Sequence, residues 1–241
     1  MVVERAEGDV SAAAQEYLEA IYNVTMEGDP VVGARLATKF GVSRPSVSEM
    51  LGRLERDGYV TLDRRRGAAL TERGTLVAEA TLRRHRLIEQ FLFQSLGMDW
   101  IEAHEQADAL GHALTPEVEA RLSIALGNPT TCPHGNPIPG SALPGREYLR
   151  ARGAIRLHQA PIGEDLVVVS ISEVVEDESA LLRAAGAAGL WPGQPVVVDE
   201  HLAESTIIRA PGRQIVLAEV LASRVWVAAA LSIDEPAASP A

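Results

Sequence analysis

Residues 31–70 read VVGARLATKFGVSRPSVSEMLGRLERDGYVTLDRRRGAAL, and the order of signals within them decides the fold of this end of the chain. Val32 to Phe40 has the spacing of a short helix, and Gly41-Val42 supplies a tight turn. Ser43 then caps a second helix with Arg44 and Pro45 in its first turn, where proline is tolerated. Along this helix Val47, Met50, Leu51 and Leu54 recur on one face and point to a core, and Gly58 ends it. Ser43, Arg44, Pro45, Ser46 and Glu49 are left at its outward N-terminal end, the part of a recognition helix that enters a major groove. Two short strand-like runs, Tyr59-Val60-Thr61-Leu62 and Ala68-Ala69-Leu70-Thr71, flank Asp63-Arg64-Arg65-Arg66-Gly67. Three arginines at the tip of a β-hairpin suit phosphate contact, so the stretch predicts a winged helix-turn-helix that binds double-stranded DNA.

Working outward, residues 11–26 complete that unit with a helix opened by Ser11 and carrying Tyr17, Leu18, Ile21, Tyr22 and Val24 on its apolar positions. Downstream, Thr71 to Leu96 predicts a long helix. Asp99 and Glu102 predict the start of another running to about Leu114, and Thr115-Pro116-Glu117 opens a third running to about Leu126. Three of the six histidines fall here, spaced with carboxylates at one-turn intervals: His85 with Glu89, then His104, Asp108 and His112. Residues four apart on a helix lie on one face about 6 Å apart, so two packed helices of this kind can aim imidazoles and carboxylates at a common point. That is a divalent-metal pattern. Exposed apolar residues on the same helices predict dimerisation, which would present two recognition helices to a palindromic operator.

Charge is distributed in keeping with this reading. The chain of 241 residues carries a formal net charge of −11, which by itself disfavours a nucleic-acid binder. Between residues 35 and 75, however, nine basic residues face five acidic ones, and from residue 154 onward five basic face twelve acidic. A local positive face can thus attract DNA while carboxylates elsewhere serve cations. The single cysteine, Cys132, excludes an internal disulfide and any multi-cysteine zinc site. No apolar run approaches the ~20 residues of a membrane span, and the first residues lack the apolar stretch of a signal peptide, so a cytoplasmic location is expected.

Residues 127–153 hold Pro129, Pro133, Pro137, Pro139 and Pro144 among several glycines, the composition of an interdomain connection. Cys132 and His134 read as residues of that linker, since a proline-broken segment rarely holds a rigid site. Beyond it lie strand-like runs at 165–171, 195–199, 206–208, 214–217 and 224–227, with a short helix over 179–188, the pattern of a small barrel. The expected architecture is mainly α with β: a winged helix-turn-helix over 1–75, a helical metal-binding and dimerisation domain over 76–140, a linker over 141–153, a small β-barrel over 154–234 and a disordered tail over 235–241.

Several motifs together resemble the diphtheria-toxin-repressor family of iron- and manganese-dependent regulators. They are Glu16-Tyr17-Leu18-Glu19-Ala20-Ile21-Tyr22, Leu54-Glu55-Arg56-Asp57-Gly58, Arg84-His85-Arg86-Leu87-Ile88-Glu89, His104-Glu105-Gln106-Ala107-Asp108 with His112, and Gly135-Asn136-Pro137-Ile138-Pro139-Gly140. The phrase Gly189-Leu190-Trp191-Pro192-Gly193-Gln194-Pro195-Val196 is similar to the family's SH3-like C-terminal domain. The resemblance implies a homodimeric regulator, a repressor of metal uptake, that binds up to two metal ions per subunit. One site would draw on His85, Glu89, His104 and Glu176. The other would draw on Glu16, Asp108 and His112 with Glu19, although Gly111 stands where the family usually has a glutamate. An oxygen-and-nitrogen ligand set favours Mn(II), with Fe(II) as the alternative. Two rival readings share parts of this pattern: a metal-independent winged-helix regulator with a small-molecule effector, and a metallohydrolase using the histidines to activate water. The second lacks any His-Glu-Xaa-Xaa-His motif or nucleophile elbow.

Overall fold

The computed structural model describes residues 10–63, 67–111, 113–141, 143–173 and 178–230, except for the side chains of Asp108, Glu178 and Ser179. The expected wing tip Arg64 to Arg66, together with His112, Glu176 and the tail 235–241, lies outside the described residues.

The N-terminal unit is built from α1 (Ala12–Met26), α2 (Gly33–Lys39), α3 (Arg44–Arg56) and the antiparallel hairpin β1 (Val60–Asp63) and β2 (Gly67–Leu70). Local chemistry sets the helix starts, because the Ser11 side chain accepts from the Ala14 N–H and the Ser43 side chain from the Ser46 N–H. Each satisfies one of the donors a helix leaves open at its N-terminus. Leu18, Ile21, Leu36, Val47, Leu54, Val60, Val77 and Leu82 close one hydrophobic core, so the reading helix and α1 move as one packed body. At the base of the wing Gly67 has φ +80° and forms a bridge with Val31. A Cβ there would fall 2.0 Å from the Val31 carbonyl oxygen, so only glycine lets the hairpin close onto the connection before α2.

The middle of the chain is helical: α4 (Glu72–Leu96), α5 (Trp100–Gly111) and α6 (Pro116–Ala125). Thr71 caps α4 through the Gly74 N–H, and Gly97 in the left-handed region at φ 68° stops it. Asp99 Oδ1 accepts from the N–H groups of Ile101 and Glu102 at 2.9 Å each and opens α5. The 25-residue α4 is unusual in what it buries, because Arg84, His85, Arg86, Glu89 and Gln90 are sequestered along with Leu87, Ile88 and Leu92. A helix hides charge of this kind only when partners await it.

The expected linker contains a helix, α7 (Gly145–Ala151), that was not legible from its proline-rich composition. The C-terminal domain is a six-stranded antiparallel sheet in the order β3-β8-β4-β5-β6-β7, formed by β3 (Ile155–Arg156), β4 (Leu166–Ile171), β5 (Pro195–His201), β6 (Ser205–Ala210), β7 (Arg213–Ala218) and β8 (Val225–Ala229). It therefore has one strand more than the five expected, the extra one being only two residues long. Helix α8 (Glu178–Ala187) connects β4 to β5, and the short α9 (Glu219–Ala222) precedes β8. Register shifts between Val168 and Ser170 and between Val198 and Glu200 mark bulges that bend the sheet. Its core includes Leu166, Val168, Leu182, Val198, Ile208 and Val227, and also Trp100 from α5, which fastens this domain to the middle helices.

Candidate metal centre and DNA-reading surface

Three segments converge on one buried point. Helix α4 contributes His85, Glu89 and Arg86, α5 contributes His104, and the turn Cys132-Pro133-His134-Gly135 enters from the connection. A second carboxylate, Glu173, stands just past the end of β4 and is 4 % exposed. Glu89 is fully buried, and its Oε1 is shared by His104 Nδ1 at 2.9 Å and His134 Nδ1 at 2.8 Å. His85 Nε2 lies 3.3 Å from His104 Nδ1. Cys132 Sγ is 3.9 Å from His134 Nδ1 and 3.6 Å from Glu173 Oε1. Among the described residues, ligand-type side chains gather in two overlapping sets, Glu89-Cys132-His134-Glu173 and His85-Glu89-His104, with the ligand atoms of each set within 4.8 Å of one another.

The expected grouping of His85, Glu89 and His104 is thus brought together. Its expected fourth member, Glu176, lies outside the described residues, while Glu173, three positions earlier, reaches the cluster. Cys132 and His134 are not open linker residues. Their turn is locked by hydrogen bonds from the Cys132 N–H to the Asn136 carbonyl and from the Ile171 N–H to the His134 carbonyl, both 2.9 Å. Gly135, at φ +82°, sits so close to β4 that a Cβ would fall 2.1 Å from the Val169 carbonyl oxygen. Proline breaks regular structure here, but the sheet supplies the rigidity that the segment lacks by itself. The signal that was available is the Cys-Xaa-His spacing itself. For Glu173 it was only a carboxylate directly after an apolar strand, a weak cue.

Electrostatics fit a cation. Burial pushes the Glu89 carboxyl toward neutrality, yet the charges and hydrogen bonds of His134 and His104 outweigh it and hold its pKa well below the usual carboxylate value. Burial acts likewise on Glu173, and the Arg86 guanidinium, with Nη2 2.6 Å from Oε2, prevails. The Cys132 thiol is pushed up, first by burial and then by Glu89 and Glu173. A divalent ion held here would reverse that last effect, since thiolate is the ligating form of cysteine. Among the described residues, two buried atoms of the cluster, Glu89 Oε2 and His134 Nε2, have no hydrogen-bond partner. Unsatisfied polar atoms of this kind are costly, and an ion ligated by both would satisfy them. The clustered ligand-type side chains include one sulfur, Cys132 Sγ, beside the oxygens and nitrogens expected.

The second expected set falls partly outside the described residues. Glu16 is exposed and Glu19 half-buried on α1, while the Asp108 side chain and His112 are outside the described residues. Gly111 packs beside His85, where a Cβ would meet the His85 backbone nitrogen at 3.7 Å, an ordinary contact.

Ser43, Arg44, Pro45, Ser46 and Glu49 are all exposed at the start of α3. The wing is tied to this helix by the Leu62 N–H, which donates to Glu55 Oε1 at 3.0 Å. The surface is preformed for a groove, its donors turned outward and its apolar side closed on the core.

Comparison with known proteins follows the same three parts. Residues 9–68 match the model described as iron dependent repressor, N-terminal DNA binding domain, and residues 71–140 the one described as iron dependent repressor, metal binding and dimerisation domain. Residues 155–229 match the FeoA domain, an SH3-like fold. The iron-dependent repressor IdeR of Mycobacterium leprae is 36% identical over 212 residues, covering 86% of this chain and 92% of that protein. This chain belongs to the diphtheria-toxin-repressor family. A diphtheria toxin repressor of Corynebacterium efficiens is 33% identical over 223 residues, covering 91% of this chain and 96% of its own length. Among solved structures, a manganese-dependent transcriptional repressor in complex with manganese superposes with TM-score 0.76 at 30% identity, covering 90% of this chain and 99% of that one. The manganese regulator SloR does so with TM-score 0.75 at 28% identity, covering 89% and 97%. The chain is a metal-responsive, DNA-binding, dimer-forming repressor and not an enzyme, which removes the metallohydrolase reading. Among the described residues no helix is long and apolar enough to cross a membrane.

Proposed function

We propose that this repressor holds Mn(II) or Fe(II) at Glu89, Cys132, His134 and Glu173, with His85 and His104 beside Glu89, and that the loaded dimer binds a palindromic operator controlling metal-uptake genes in the cytoplasm. The observation that supports this most is the pair of partnerless buried atoms, Glu89 Oε2 and His134 Nε2, inside a cluster of four ligand-type side chains. The ion supplies positive charge to a site where two carboxylates are offset by one arginine. The chain's own residues do the remaining work: the imidazoles orient Glu89, Asn136 Nδ2 orients Glu173 Oε1 at 2.8 Å, and Trp100 stacks on His134 at 4.8 Å and closes the site to water. One thiolate among oxygen and nitrogen donors suits Fe(II) as well as Mn(II). A second ion at Glu16, Glu19, Asp108 and His112 completes the reading of up to two ions per subunit, with Gly111 leaving a ligand position to water or another carboxylate.

A ligand shifts an equilibrium only through differential affinity, so the ion must bind the operator-competent arrangement more tightly than others. The test is retention of genomic DNA fragments by chelator-stripped protein at fixed salt, with and without Mn(II) and then anaerobic Fe(II). Metal-dependent, sequence-selective retention is expected, and the more effective ion names the signal. Retention unchanged by either ion would overturn the reading.

A further inference from the structure

We infer that Arg86 and Asn23 are positioning residues that join the Glu173 carboxylate of the candidate metal centre to α1, and through α1 to the reading helix. The inference rests on the metal-dependent operator binding proposed above and assigns the residues that couple the two sites.

The two oxygens of Glu173 face different tasks. Oε1 points into the ligand cluster, 3.6 Å from Cys132 Sγ, where it also accepts from Asn136 Nδ2. Oε2 accepts from Arg86 Nη2 at 2.6 Å. That same Nη2 donates to Asn23 Oδ1 at 3.3 Å, and Nη1 of the same guanidinium donates to the Pro137 carbonyl at 2.5 Å. One flat, rigid group therefore spans a candidate ligand, the connection just past the Cys-Pro-His-Gly turn and the DNA-reading unit. Because the fork is planar, Glu173 cannot turn without moving the nitrogen that also holds Asn23.

The surroundings favour transmission over slack. Arg86 is buried, and the space between it, Asn23, Glu27, Ser170 and Glu173 amounts to about 30 Å³, room for a water or so. Ser172, adjacent to Glu173, hydrogen-bonds through its side chain to Glu27 at the end of α1, giving the same strand end a second hold on that helix. Beyond Asn23, Tyr22, Leu18 and Ile21 share a core with Leu36, Val47 and Leu54. A displaced α1 then carries the reading helix with it, as packed elements shift as bodies. A buried ion pair between Arg86 and Glu173 would serve stability alone. The half-buried Asn23, reached across a domain boundary, is the contact that stability does not require.

The experiment measures Mn(II) and anaerobic Fe(II) affinity of the full chain by chelator competition, with and without an operator fragment selected by the wild-type protein. Linkage requires the operator to tighten metal binding by the same factor as metal tightens operator binding, ~5- to 150-fold for couplings of ordinary size. Asn23→Ala is expected to leave the metal affinity of DNA-free protein as in wild type and to lose most of the operator-induced factor. Asn23→Asp, which keeps the acceptor oxygen, is expected to retain that factor. Arg86→Lys, which keeps the charge beside Glu173 but not the fork, is expected to lose it by a second route. The inference is overturned if Asn23→Ala couples as wild type does, or if it loses metal affinity equally with and without DNA. Absence of any operator-induced factor in the wild-type protein sinks the proposed function itself, and that arm reads independently of the variants.

Discussion

The candidate metal centre and the start of α3 both concentrate polar groups, yet they are made in opposite ways. At the centre, Glu89, Glu173, Arg86 and His134 are almost wholly buried, and each is held by residues far away in sequence, such as Arg86 by Glu173. At the start of α3, Ser43, Arg44 and Glu49 face solvent, and the geometry is set within a few residues by the Ser43 cap and Pro45. The lesson is that an interior polar site depends on every partner at once, because an unpaired buried charge is expensive, whereas an exposed reading surface tolerates loss of single groups.

Five substitutions, one of them read across a pH series, would break or sharpen that contrast. The largest effect is expected from Arg86→Met, which strands the Glu173 carboxylate in the interior and should cost about 3–5 kcal/mol in denaturant unfolding. An unchanged midpoint would show that water replaces the guanidinium. Glu89→Gln should lower metal affinity by more than the ~10- to 100-fold typical of losing a group behind a ligand, as read by chelator competition. Affinity equal to wild type would move the ion elsewhere.

Glu27 at the end of α1 tests the interface between the two regions. It is desolvated against the C-terminal domain, and burial lifts its pKa from 4.5 to about 7 despite a hydrogen bond from Ser172 and the nearby charges of Arg156 and Arg224. Since its folded pKa lies above its unfolded one, the folded state binds more protons between pH 4.5 and 7. Its contribution to stability is therefore full below about pH 4.5 and lost as pH rises through about 7. Melting curves across that window should show Glu27→Gln to be flatter than wild type. An equal slope would mean that the arginines keep Glu27 ionised throughout.

The smaller effects belong to the exposed surface. Ser43→Ala removes the α3 cap and should cost ~1 kcal/mol in thermal or denaturant unfolding while leaving metal affinity unchanged. Arg44→Ala should leave unfolding within ~0.5 kcal/mol of wild type, and it should reduce the salt dependence of operator binding by about one counterion. A large loss of stability from Arg44→Ala would erase the distinction between the two regions.

Much of this was legible from sequence because it is local. The helix-turn-helix followed from the turn at Gly41, the cap at Ser43 and the apolar spacing of Val47 and Leu54, and α4 followed from Thr71 to Gly97. His85 and Glu89 declared themselves by lying one turn apart, and His104 by its place on the next helix. What sequence misassigned is what depends on a distant partner. The proline-rich segment looked like a linker until β4 fixed Cys132 and His134, and Glu173, which reaches the cluster, was not singled out at all.

The sequence by itself therefore determined helices α1 to α6, the reading surface and half of the clustered ligand-type residues, since caps, turns and one-turn spacing act over a few residues. Only the tertiary structure decided that a thiol lies in the same buried cluster, that Glu173 reaches that cluster, and that Arg86 ties it to Asn23. Those choices lie between segments separated by tens of residues, where chain entropy leaves spacing uninformative and close packing alone settles which side chains meet.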